Sequence, residues 1–405
     1  MKKKNWLGLL AGLACVQITW SQSTLPIPGA HATLYYFSFL QGKRVGLVAN
    51  ATSRIGETHL LDTFLRAGLH VQKVFSPEHG FRGKADAGEK VNDSLDSKTG
   101  VQIVSLYGSH RKPTPQDLQD IDILVFDIQD VGVRFYTYIS TLEYVMDAAF
   151  EQRIPLIVLD RPNPNGNYVD GPVLQSAFKS FVGMQPVPIV YGMTIGEYGY
   201  MLIGERWLTS TRQRKIQLDQ TKQNPTPDFL VVPCQNYTHQ SSYDLPVAPS
   251  PNLREMASIY WYPSTCLFEG TVLSEGRGTD HPFQIFGHPT LPDSLYAFIP
   301  KPNLGAKNSK CFYQTCYGWN LHSDAATAQQ RVNQRIQLKY LLNAYRLFPG
   351  KDSFFLANNF FHKLAGQDQL MKQIKAGWSE TRIRESWKPG LRRFMRIRKK
   401  YLLYP

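Results

Sequence analysis

The sequence predicts an α/β protein, with a parallel β-sheet covered on both faces by helices and followed by a smaller α+β domain. Three observations lead there. From Lys43 to Gly166, apolar runs of strand length alternate with segments of helical periodicity, as in sheets whose crossovers are helices. The runs are near-continuous rather than alternating, so both faces are covered. The Pro/Gly-rich polar segments follow the strands, whereas the segments entering them are plain. Right-handed crossovers gather those polar segments on one edge.

Arg44 to Ala49 is the first strand and ends at Asn50-Ala51-Thr52. Thr58 to Ala67 carries Leu60, Leu61, Phe64 and Leu65 on one face and stops at Gly68, a helix with a glycine C-cap. Leu69 to Phe75 is the second strand. It feeds Ser76-Pro77-Glu78-His79-Gly80-Phe81-Arg82-Gly83, where a proline and two glycines forbid a regular helix. Val101 to Leu106 is a strand ending at Tyr107-Gly108-Ser109-His110, and Pro113 to Gln119 a short helix. Ile121 to Asp127 is the fourth strand, Tyr138 to Gln152 a long helix, and Pro155 to Leu159 the fifth strand, ending at Asp160-Arg161-Pro162-Asn163-Pro164-Asn165-Gly166. Thr194 opens a helix through Leu208, with Glu197 at capping-box spacing, a structural use of that carboxylate. A polar, Pro-containing excursion runs from Gln220 to Pro227, and from Phe229 the texture shifts to short strands, aromatics and turns. The boundaries follow: a signal over 1–22, a first domain over 23–225 and a second over 226–405. In the second domain, Arg331 to Leu347 and Gln367 to Lys375 read as amphipathic helices. Glu275-Gly276-Arg277-Gly278-Thr279-Asp280 is either a backbone turned tightly toward a ligand or a hairpin turn with ordinary charges.

Composition narrows the function. Of 405 residues, 42% are hydrophobic and 19% charged, enough apolar content for a large core. The net charge of +13 favours anionic partners. Nine of the basic residues lie between Arg382 and Lys400, where Glu385 is the only acid. Interleaved Trp387, Leu391, Phe394, Met395 and Ile397 make that stretch a helix docked on the core with a solvated basic face, not a nucleic-acid arm. Lys2-Lys3-Lys4, the apolar Trp6 to Ile18 and the polar exit Trp20 to Ser23 read as a secretory signal. The protein is therefore expected to be exported, periplasmic or secreted, with lipid attachment at Cys15 as the alternative. No later run is long and apolar enough to span a bilayer. Cys234, Cys266, Cys311 and Cys316 permit disulfides in an oxidising compartment but lack the paired CxxC spacing of zinc sites. The nucleotide signatures GxGxxG and GxxxxGK[ST] are missing from the strand ends, as is the hydrolase elbow Gly-x-Ser-x-Gly.

Five ordered motifs resemble the NamZ-like exo-β-N-acetylmuramidases: Ser76 to Gly83; Phe126-Asp127-Ile128-Gln129-Asp130-Val131-Gly132-Val133-Arg134-Phe135-Tyr136-Thr137-Tyr138; Asp160-Arg161-Pro162-Asn163-Pro164; Pro249-Ser250-Pro251-Asn252; and Glu269-Gly270-Thr271 through Gly276-Arg277-Gly278-Thr279. The resemblance implies a Rossmann-like catalytic domain, a smaller C-terminal domain completing a cleft, and release of N-acetylmuramic acid from the non-reducing ends of peptidoglycan fragments. It implies neither a cofactor nor a metal.

Glycoside cleavage needs a proton for the departing oxygen and stabilisation of an oxocarbenium-like transition state. Glu78 is the candidate general acid. Asp127 and Asp130 sit at a strand end, as a base or as groups orienting Arg134, and Tyr262 is a further catalytic candidate from the second domain. His79 and Tyr138 are expected at the sugar. The lactyl carboxylate of muramic acid calls for a bidentate arginine, for which Arg82, Arg134, Arg161 and Arg277 are candidates. Asn50, Asn163 and Asn252 offer amides to the sugar, or serve as turn formers. Two other function classes fit parts of the pattern: an exported sugar-binding protein without catalysis, and an esterase or amidase using Ser76 or Ser109 with His79 or His110.

Overall fold

The structure, a computed structural model, describes residues 25–78, 80–81, 94–220 and 226–405. The expected signal with Cys15, and the loop residues His79 and Arg82, lie outside the described residues.

The first half is built on a seven-stranded sheet: β1 (Arg44–Ala49), β2 (His70–Ser76), β3 (Ser94–Leu95), β4 (Gln102–Ser105), β5 (Ile123–Asp127), β6 (Leu156–Leu159) and β7 (Phe229–Val232). Its order is β3-β4-β2-β1-β5-β6-β7. Only the β3–β4 pair is antiparallel. Without that edge strand, the order reverses at β1/β5 as in doubly wound nucleotide-binding sheets. β7 follows the expected boundary at 225/226, yet it pairs with β6 from Leu156 opposite Phe229 to Leu159 opposite Val232. A run this apolar needs both faces covered, and the main sheet supplies that cover.

Side chains alternate across the sheet. Val45, Leu47 and Ala49 of β1 pack with Tyr36, Leu40, Leu60, Leu61 and Phe64, from α1 (Thr33–Leu40) and α2 (Leu60–Arg66). Val48 and Phe126 face the opposite core, which α3 (Pro115–Leu118), α4 (Tyr138–Glu151), α5 (Ile195–Gly204) and α6 (Thr209–Gln213) help to cover. Helix α2 starts two residues later than its periodicity suggests. Thr58–His59 pairs with Arg54–Ile55 in a small hairpin, and His59 Nδ1 then accepts the Leu61 N–H at 3.2 Å as the helix cap. The capping box of α5 forms as read: Thr194 Oγ1 accepts from Glu197 N at 3.2 Å, and Glu197 Oε2 from Thr194 N at 2.9 Å.

The second half holds α7 (Met256–Thr265), a small antiparallel sheet of β8 (Ile285–His288), β9 (Tyr296–Phe298) and β10 (Cys316–Asn320), and then α8 (Ala325–Val332), α9 (Lys339–Leu347), α10 (Phe360–Ala365), α11 (Gln369–Lys375) and α12 (Glu380–Arg398). The single helix expected over 331–347 is two. Asn333 and Gln334 adopt left-handed φ of 48° and 52°, which ends α8 and redirects the chain into α9. Trp261, Phe268, Phe286, Trp387 and Phe394 belong to the same continuous core as Val48 and Phe126, so the two halves are fused through their interiors. In α12, Trp387 and Phe394 are buried as expected, together with Ile383, whereas Met395 is exposed.

Beyond α12 the chain returns to the first half. The Tyr404 hydroxyl donates to Asp160 Oδ2 at 2.6 Å and accepts the Cys234 N–H at 2.9 Å. Glu197 Oε1 accepts the Leu403 N–H at 2.7 Å. Tyr404→Phe would leave two buried groups short of a partner. Its expected cost is about 1.5–3 kcal/mol, read as a lower urea midpoint at unchanged slope.

Burial raises three interior carboxyls: Asp130 and Asp160 to about 6 and Glu143 to about 7. The folded protein therefore holds these protons more tightly than the unfolded chain. Their stabilisation is present below the unfolded pKa and lost as pH rises through the folded one. Asp130→Asn should flatten the decline in urea stability between about pH 4 and 6.

Candidate active site

A cleft of about 1060 Å³ lies between the carboxyl edge of the main sheet and the second half. Its floor is the segment Phe135-Tyr136-Thr137-Tyr138 at the entrance to α4. The residue before it, Arg134, fixes that segment. Its guanidinium is wholly buried and has no carboxylate partner among the described residues; it donates to the carbonyls of Pro172 (2.9 Å), Val187 (2.7 Å) and Leu364 (2.8 Å). Burial pushes its pKa down to about 9. The arginine so clamps the floor to both halves of the molecule.

The floor is aromatic. Tyr136 meets Tyr138 edge-on at 4.9 Å, Phe135 meets Tyr262 at 5.4 Å, and Tyr262 meets Phe283 at 4.8 Å. Tyr136 donates to the Pro249 carbonyl at 2.7 Å. Asn50 Nδ2 donates to the Tyr138 hydroxyl at 2.9 Å from below. Half-buried Glu78, just beyond β2, lines the cleft, and its Oε2 accepts the Thr137 hydroxyl at 3.1 Å. Arg111 lies 4.3 Å over the Phe181 ring on the same wall.

The second half contributes a charged wall. Arg277 Nη2 binds Glu269 Oε1 at 2.6 Å, and its Nε lies 3.2 Å from Glu275 Oε1. Lys310 Nζ sits 2.8 Å from Glu275 Oε2 and donates to the carbonyls of Phe268 and Thr271. Burial alone would raise the Glu275 carboxyl, but the Lys310 and Arg277 charges outweigh it and hold the pKa below its ordinary value. Glu275 is thus a fixed anion. Gly276 and Gly278, both at φ +82°, make the turn that presents Arg277. A Cβ on either would run into a carbonyl, that of Ile285 or Lys301. The turn left open in the sequence therefore faces the cleft.

Of the sequence candidates, Glu78, Tyr138, Tyr262 and Arg277 line the cleft. Others are scaffold. Asp127 and Arg161 satisfy each other: Nε to Oδ1 at 2.6 Å and Nη2 to Oδ2 at 2.8 Å, with 0% and 3% side-chain exposure. Neither the base expected at Asp127 nor the carboxylate reader expected at Arg161 is free to meet a ligand. Asp130 Oδ2 accepts the Gly132 N–H at 2.7 Å and the Tyr191 hydroxyl, and it does not orient Arg134. Arg134 is spent on backbone carbonyls. Asn163 is a turn former, with Nδ2 on the Met193 carbonyl and Oδ1 accepting from Asn165 N, both at 2.8 Å. Asn252 ties its loop to the Gly305 carbonyl at 2.6 Å. The four described cysteines are free thiols. Sequence reasoning missed Lys310, Arg111, Phe181, Lys307 and Lys363. Most come from irregular loops, and only their tertiary placement brings them to the wall.

If Asp127 is scaffold, Asp127→Ala strands a buried cation and should cost about 3–5 kcal/mol. Adding Arg161→Met should recover most of that stability. Thermal melts of the two variants, with activity assayed on the folded fraction, check both parts.

Comparison with known proteins is consistent across the chain. A family model described as exo-beta-N-acetylmuramidase NamZ, N-terminal, matches residues 45–257, and the corresponding C-terminal model matches 260–404. The peptidoglycan beta-N-acetylmuramidase NamZ of Bacillus subtilis is 39% identical over 389 residues, covering 91% of this chain and 89% of that protein. Two crystal structures of DUF1343 family proteins from Bacteroides fragilis share the fold. One has a TM-score of 0.83 at 44% identity and the other 0.77 at 29%; each match covers 94% of this chain and 99% of the other.

Proposed function

The chain belongs to the NamZ family of exo-β-N-acetylmuramidases, and from that premise we propose that it is an exo-acting glycoside hydrolase releasing N-acetylmuramic acid from the non-reducing ends of peptidoglycan fragments in cell-wall turnover. The observation that carries the reading is Glu78. It is a half-buried carboxyl on the cleft wall, held by Thr137 above a floor of aromatic rings. Glu78 donates its proton to the departing glycosidic oxygen, the step for which a general acid is required. Tyr138 and Tyr262 present ring faces and edges to the sugar, a common way for proteins to hold a pyranose whose C–H face is apolar.

The cleft carries Arg111, Arg277, Lys307, Lys310 and Lys363 against the carboxylates Glu78, Glu269 and Glu275. That balance suits a substrate bearing a carboxylate, such as the lactyl ether of muramic acid. Arg277, oriented by Glu269 and Glu275, is the residue best prepared to receive it. The substrate lies outside the cytoplasm, in keeping with export by the N-terminal Lys2-Lys3-Lys4 and Trp6 to Ile18 signal. Among the described residues no helix is long and apolar enough to cross a membrane.

The test compares wild type and Glu78→Gln on a chromogenic N-acetylmuramic acid β-glycoside and on the matching N-acetylglucosamine compound. Wild type should cleave only the first. Glu78→Gln should lower kcat by about 100- to 10,000-fold at unchanged melting temperature. A fully active variant would remove Glu78 from the chemistry. A wild type that binds muramic acid and cleaves neither compound would replace hydrolysis with sugar binding.

A further inference from the structure

Away from the cleft, Glu255, His281 and His322 bring one ligand atom each to within 4.8 Å of one another. We infer that these three residues form a binding site for a divalent first-row transition metal ion, of the two-histidine, one-carboxylate type.

The geometry asks for more than hydrogen bonding. Glu255 Oε1 lies 3.7 Å from His281 Nδ1, and Glu255 Oε2 lies 3.8 Å from His322 Nδ1. Both separations exceed the hydrogen-bond range. Ligand atoms at about 2.0–2.2 Å from a tetrahedral ion stand roughly 3.3–3.6 Å apart, close to both carboxylate–imidazole separations, and the whole set spans no more than 4.8 Å. The two imidazoles stack with centroids 3.6 Å apart and planes inclined by 28°. Both turn Nδ1 toward the same carboxylate. Rings so placed can direct two nitrogen ligands toward one cation beside that carboxylate. His281 Nδ1 is buried and, among the described residues, has no hydrogen-bond partner. The imidazole-rich donor set suits zinc, copper, nickel or iron rather than magnesium or calcium.

The surroundings hold the donors in place. Gln284 Nε2 donates to Glu255 Oε2 at 3.1 Å and orients the carboxylate, as outer partners of metal ligands do. The carbonyl of His281 accepts from Gln284 N (3.1 Å) and Ile285 N (3.2 Å), and His322 N donates to Asn320 Oδ1 (2.8 Å). An ion here would fasten three separate pieces of chain: the entrance to α7, the turn before β8, and the segment leaving β10. The turn matters to the cleft. Phe283, two residues past His281, donates its N–H to the Glu275 carbonyl at 2.8 Å and packs its ring on Tyr262. The ion would thus brace the charged wall from behind without touching substrate.

The test is calorimetric titration of the chelator-treated full chain with Zn2+, repeated with Co2+ followed by visible absorption. Wild type should show one saturable site, with Co2+ ligand-field bands and no thiolate charge-transfer band. His322→Ala and Glu255→Gln should each weaken Zn2+ binding by at least about tenfold. The His281→Ala/His322→Ala double variant should abolish it while circular dichroism shows a folded chain. Cys311→Ser/Cys316→Ser should bind as wild type does. Zn2+ should raise the melting temperature of wild type but not of the double variant. Absence of saturable binding to wild type, or wild-type affinity in the double variant, overturns the inference. So does a site that disappears with the cysteines.

Discussion

The buried Asp127–Arg161 pair sets the terms for the rest of the molecule. It sits at the ends of β5 and β6, beside the point where the strand order reverses. In doubly wound sheets that crevice is where a ligand enters. Here a guanidinium and a carboxylate close it, each holding the other by two short bonds, and the Ser53 hydroxyl binds the Asp127 carbonyl. A charge pair this deep costs desolvation that only mutual contact offsets, so neither partner can be diverted to a substrate. The open space is displaced toward the ends of β2 and β4 and the Phe135–Tyr138 floor, where the second half can reach it.

That displacement explains why the two halves share a core. A cleft at the side of a sheet needs an outer wall, and the wall must be held to a fraction of an ångström for chemistry. Two kinds of contact fix it. The aromatic ladder from Tyr138 through Tyr136 and Tyr262 to Phe283 runs continuously from one half to the other. Arg134 reaches in the same direction through polar bonds, joining carbonyls that are 53 and 230 residues away from it in sequence. The floor is thus braced from both halves of the molecule.

The sheet, its helices and the Thr194–Glu197 cap were legible because local pattern and tertiary role agree there. β7 was assigned to the wrong side of a boundary for a plain reason: a polar excursion and a run of short segments look alike whether they leave a domain or only leave its surface. The 331–347 break was invisible because the left-handed turn at Asn333 and Gln334 interrupts a pattern that stays amphipathic across it. At the site, the sequence located Glu78, Tyr138, Tyr262 and Arg277 but could not separate them from Asp127, Asp130, Arg134 and Arg161. All are polar or aromatic groups in segments of the kind that carry ligand chemistry. What divides them is the partner each one finds, and partners such as Val187, Tyr191 and Leu364 lie far along the chain. Lys310 and the Glu255–His281–His322 cluster were missed for the same reason, since their members are distant in sequence and become neighbours only through folding.

The clasp of Tyr404 on Asp160 links positions 244 residues apart, and this has a consequence for how the chain is made. The sheet has all its strands once residue 232 has been synthesised. Yet Asp160, Glu197 and the Cys234 amide wait for donors and an acceptor that leave the ribosome about 170 residues later. Until then Asp160 and Glu197 keep their nearer partners around Thr194 but lack the bonds from the last residues, and the aromatic floor is uncovered. Contacts of such long sequence separation are slow to form, and the last residues can complete this network only when the rest of the chain has been made. A chain cut short by a handful of positions would lose little surface yet leave the bonds to Asp160, Glu197 and the Cys234 amide unmade.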